Sequence, residues 1–104
     1  MTSAERTYLE EKIFLQTHLD SNMRDAIKEI YKKYKDALEM FPALHEAKFG
    51  MLYCKMILNN NTDVPHSKTI MAYTKETQTS YYMYRKQVLG YIWKTLKSKK
   101  IIAD

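Results

Sequence analysis

Glycine, proline and cysteine are nearly missing from this chain, which has two, two and one of them in 104 residues. So few turn-forming residues exclude a β-rich fold with many tight turns, and the 45% hydrophobic content excludes a disordered chain. The lone thiol, Cys54, cannot form an internal disulfide, and no apolar export segment precedes the first periodic stretch, so a reducing, cytoplasmic location is expected. No apolar run approaches the ~20 residues that a membrane span needs, so no membrane association is expected.

The chain also lacks the residue groups that carry catalysis. Glycine-rich phosphate loops are absent. His18, His45 and His66 are far apart, and His45-Glu46 is followed by Ala47, Lys48 and Phe49, so the second histidine of a zinc-protease helix is missing. Cys54 lies on the apolar side of a periodic segment without a histidine and acid partner nearby, as a buried, inert thiol does. The expectation is a protein that is not an enzyme, with no cofactor, no metal and no small-molecule substrate.

What is present is helical periodicity. Tyr8, Leu9, Ile13, Phe14 and Leu15 recur near the helical period between Ser3, a half capping signal, and Leu19. From Ser21 to Phe41 the residues Met23, Ile27, Ile30, Tyr34, Ala37 and Phe41 are spaced 4, 3, 4, 3, 4, which predicts an amphipathic helix. Core packing is the commoner use of such a stripe, and a short seam between two copies, a homodimer, is the other. Pro42 suits the first turn of a third helix reaching Asn59, apolar on more than one side and hence central. Gly50 within it predicts close approach of another backbone. Three asparagines and Pro65 mark a loop, Ser67 caps a short helix with Ile70, Met71, Ala72 and Tyr73, and Thr79 or Ser80 caps a long last helix to about Lys100.

Charge is strongly asymmetric. Residues 1–46 carry seven Lys or Arg against nine Asp or Glu, net −2, and residues 47–104 carry ten against three, net +7. Thr77 to Ala103 holds no acid at all, only Arg85, Lys86, Lys94, Lys97, Lys99 and Lys100, interleaved with Tyr81, Tyr82, Tyr84, Tyr91 and Trp93. Cations alternating with aromatic rings are what a nucleic-acid site uses. On a helical wheel Tyr81, Tyr84, Val88, Leu89, Ile92 and Leu96 form the buried stripe. Met83, Lys86, Gln87, Gly90, Lys94 and Lys97 lie opposite, with Tyr82 and Trp93 at the border. Arg85 falls near the apolar stripe, which predicts pairing with a carboxylate of the acidic N-terminal half.

The order of central helix, loop, short helix with Ala72, break, and long basic helix resembles the helix-turn-helix family over residues 44–100. It departs from that family at Lys75 and Glu76, where the turn usually has glycine. The resemblance implies that the last helix enters the major groove of double-stranded DNA, braced by the short helix. Ala72 matches the family's small residue, and Thr79, Ser80, Met83, Lys86 and Gln87 match groove-facing positions. Lys86, Lys94, Lys97 and Lys100 are then the phosphate contacts, Gln87 with Thr79 or Ser80 the base readers, and Tyr82 and Trp93 the flanking aromatics. The expected architecture is all-α: one compact domain, 1–104, of about five helices. It comprises an N-terminal helical pair (1–41) and a helix-turn-helix-like half (42–104), and its expected role is that of a transcription regulator. The alternative is an interaction module, of phage type by composition, that docks Tyr82, Trp93 and neighbouring lysines on a host protein.

Overall fold

The structure, a computed structural model, describes residues 1–14, 19–59 and 77–102. Four α-helices and no strands occur among them: α1 (Ser3–Phe14), α2 (Ser21–Met40), α3 (His45–Leu58) and α4 (Gln78–Ser98). The expected short helix around Ile70 to Tyr73, the break after it and Ala72 lie outside the described residues.

Three of the four helices, α1, α2 and α4, start where a side chain satisfies free amides of the first turn, whereas α3 has no side-chain cap. At α1 that residue is Thr2 rather than Ser3. The Thr2 hydroxyl accepts the Glu5 amide at 3.1 Å, and the Glu5 carboxylate accepts the Thr2 amide at 2.9 Å, a reciprocal capping box. The Asp20 carboxylate caps α2, accepting from the amides of Asn22 and Met23. At α4 the cap is Thr77, two or three residues before the expected Thr79 or Ser80, with its hydroxyl accepting the Ser80 amide at 3.2 Å.

The start of α3 corrects the expectation for Pro42. Instead of opening the helix, Pro42 and Ala43 form a turn in which the Leu44 amide donates to the Phe41 carbonyl at 3.0 Å. The first helical bond is then Lys48 to Leu44. Leu44, which precedes the helix, is exposed.

The core lies between the helices, with α2 packed mainly on α3 and α1 mainly on α4. Leu9 and Ile13 of α1, Met23, Ala26, Ile27 and Ile30 of α2, and Val88, Leu89, Ile92 and Leu96 of α4 are buried. Phe49 of α3 gathers Tyr53, Tyr81 and Tyr84 around it at centroid distances of 5.7–5.8 Å. The radius of gyration is 13.0 Å, the value expected when about 100 residues close on one core. The first half of the α2 stripe is thus spent inside its own chain, so three heptads are not free for a seam. Beyond Ile30 the stripe rises out of the core, and Met40 and Phe41 are exposed. Gly50 is buried, but the group it meets is the ring of Tyr34 rather than another backbone.

Past α4 the chain reverses. Lys100 adopts a left-handed conformation (φ 57°), and the Ile101 amide donates to the Leu96 carbonyl at 2.9 Å, which brings Ile102 back into the core. That is a Schellman-type stop with lysine at the position usually held by glycine.

Candidate nucleic-acid interface

The candidate surface is built on α4, whose buried stripe fixes which side faces out. Thr79, Met83, Lys86, Gln87 and Lys94 are exposed on the outer side, with Gly90 and the half-buried Lys97 in the same strip. At about 1.5 Å rise per residue, Lys86 and Lys97 stand roughly 16 Å apart along the axis. Nothing lies within 4 Å of where a side chain at Gly90 would project, so the backbone there is open to approach.

Two of the six cations in the acid-free stretch are committed elsewhere. Arg85 turns inward and pairs with Glu10 of α1, the acid partner its position called for. Burial alone would favour losing its proton, but the Glu10 hydrogen bond and charge oppose this and leave its pKa raised. Lys99 pairs with Glu29 of α2 at 2.8 Å, and that contact lowers the Glu29 pKa. Among the described residues no ion pair engages Lys86, Lys94, Lys97 or Lys100.

Lys100 is separated from the other three. Its left-handed backbone takes it off the helical register, and it lines a cleft of about 700 Å³ with Lys12, Lys99 and Asp20 at the start of α2. Ser80 is half-buried and its hydroxyl is held by Thr77 at 3.1 Å, which leaves Thr79 the freer of the two candidate readers. Tyr82 is exposed, its ring set edge-to-face on Tyr81 at 5.2 Å.

Trp93 is half-buried in a ladder that sequence reasoning did not find. Lys97 lies 4.9 Å over the Trp93 ring, Tyr8 of α1 meets that ring at 6.2 Å and 89°, and Lys12 lies 5.5 Å over Tyr8. Lys97 covers one face of Trp93, so stacking there requires the lysine to move. Tyr8 and Lys12 thereby join the border of the basic surface; their only sequence signal is the i, i+4 spacing that places them together on a helix. Glu5 lies close enough to Lys97 to feel its charge, although its lowered pKa owes most to the Thr2 hydrogen bonds.

Neither family descriptions, characterised proteins nor solved structures match this chain. What the surface can do therefore rests on its own chemistry. Three lysines of one sign on a rigid rod make point-charge contacts with phosphates, and Gln87 carries the donor and acceptor that read an adenine edge. No helix among the described residues is long and apolar enough to cross a membrane. Among the same residues no three His, Cys, Asp or Glu side chains gather to hold a metal ion, and burial pushes the Cys54 thiol up to about 12.

Proposed function

We propose that this protein binds double-stranded DNA through the outer face of α4 and acts, without catalysis, as a small cytoplasmic regulator of transcription. The observation that carries the reading is the placement of Lys86, Lys94 and Lys97 in one strip around an open Gly90, with no ion pair among the described residues. Lysines without an ion-pair partner, lined up on a rigid element, are positioned for a regular polyanion, although Lys97 also complements the dipole in the last turn of α4. In this reading Lys86, Lys94 and Lys97 hold phosphates, and Gln87 and Thr79 face base edges. Lys100 adds a contact only where DNA runs past the helix end. Residues 42–104 act as a helix-turn-helix-like half in this reading.

The exposed side chains of Tyr82 and Met83 in the first turns of α4 favour a second reading, in which that end anchors a host protein. One experiment separates the two. Retention of duplex DNA is measured at several salt concentrations for the native chain and for Lys86→Glu/Lys94→Glu. DNA binding predicts a log–log salt slope of magnitude about 3 for three phosphate contacts, and loss of retention in the variant. Retention that the double substitution leaves unchanged rules out α4 as the DNA-binding surface, and absence of any retention favours the protein partner.

A further inference from the structure

Two of the large apolar side chains left exposed by the fold, Leu44 and Tyr91, wall one recess, and two more, Met40 and Phe41, lie at the end of α2 a few residues before Leu44. Met40 (75% exposed) and Phe41 (58%) end α2, Leu44 precedes α3, and Tyr91 comes from α4. Met40 and Phe41 stand on a projection, since α2 outruns the core and the Phe41–Leu44 turn is held by its own hydrogen bond. The recess has a volume of about 250 Å³, and its walls include Tyr34, Ala37, Leu44 and Tyr91. Its charged wall residues are Lys33 on α2, which also reaches Glu29 one turn back at 4.0 Å on an exposed surface, and Glu46 on α3.

We propose that a second copy of this chain docks on this surface across a two-fold axis, with Met40 and Phe41 of each copy entering the recess of the other. A two-fold contact uses one surface twice, so that surface must hold both a projection and a hollow, and both signs of charge. This surface meets each requirement. A foreign acidic or basic partner calls for a rim of one sign, whereas Lys33 and Glu46 are complemented by the partner's Glu46 and the partner's Lys33. The apolar patch is small beside a permanent dimer interface, so the association is reversible and depends on concentration. It needs no nucleic acid, and on α2 it uses the stretch from Lys33 to the end, past the fully buried Ile30.

Sedimentation across roughly a hundredfold range of concentration tests this, with circular dichroism verifying the fold of every variant. The expected mass rises from 12.4 kDa toward twice that value without passing it. Phe41→Glu, at an exposed site, holds the chain monomeric. Lys33→Glu and Glu46→Lys each weaken the dimer about tenfold or more by opposing like charges, and the two together in one chain restore it. A monomer at every concentration, growth beyond twice the mass, a dimer indifferent to Phe41→Glu, or a double swap no better than either single one would each overturn the proposal.

Discussion

Gly50 and Gly90 sit in helices but in opposite surroundings, and alanine at each position asks a different question. A methyl at Gly50 would come within 2.4–2.6 Å of the Tyr34 ring, which itself rests against Tyr91 at 5.9 Å, so relieving the clash breaks a second contact. Overpacking of that kind costs about 1–3 kcal/mol and outweighs the ~1 kcal/mol that alanine returns in helix propensity. Gly50→Ala should therefore lower the urea midpoint. At Gly90 nothing opposes the methyl, and Gly90→Ala should stabilise by up to about 1 kcal/mol. If a phosphate backbone passes there, the same variant binds DNA less well while melting later, a combination that a solvated lysine face would not produce.

Single residues also show where sequence reading stops. Arg85 beside an apolar stripe demanded an acid from the N-terminal half, and Glu10 supplies it, but no local pattern singles out Glu10 over its neighbour Glu11. Gly50 announced a close neighbour without revealing that it is an aromatic ring. Trp93 was legible as a border residue, whereas its contacts with Tyr8 join positions 85 apart in the sequence and leave no periodic trace.

At the scale of elements, the interiors of the helices were readable and their ends were less so. The 4, 3, 4 spacing of α2 fixes its buried side, and the Asp20-Ser21-Asn22 cluster marks its start within a residue. The run Thr77-Gln78-Thr79-Ser80 offers three hydroxyls that could each cap, and the structure uses the first, with Tyr81 four residues on buried in the core. Pro42 fits a first helical turn and a tight turn equally well, and the Phe41–Leu44 hydrogen bond decides for the turn. The far end of α4 carries its own prediction. Lys100 holds a left-handed conformation that costs a non-glycine residue about 1 kcal/mol. Lys100→Gly should raise the melting temperature by about 4–8 °C in a chain of this size, read by calorimetry. An unchanged or lower value would mean that the stop at Lys100 is not left-handed in solution.

For the whole molecule, pH acts through what the core hides. Burial is the main force raising the pKa of Cys54, from its usual 9.0 to about 12, and it likewise raises those of Tyr34, Tyr53 and Tyr81. These groups stay neutral in the fold, whereas an unfolded chain releases the Cys54 proton from 9.0 and the tyrosine protons from 10.0. Their contribution to stability is complete below pH 9.0 and is lost as pH rises toward the folded values. Urea unfolding between about pH 8 and pH 10.5 should show a steady fall in stability, and a flat profile would contradict the burial of these groups. Glu5 and Glu29 act with the opposite sign. Both are lowered from 4.5, so their stabilisation is present above that value and fades in acid, and it stays small because both are exposed.

The pairing of Glu10 with Arg85 reaches across 75 positions, and it has a consequence for how the protein is made. A ribosome releases α1 before its principal seat, α4, so Leu9 and Ile13 emerge while that seat is still unsynthesised. α2 and α3, neighbours in both chain and space, can associate in the meantime. Each newly made copy therefore completes its core only after the final helix has cleared the exit tunnel, and a prematurely terminated message leaves the opening helix stranded.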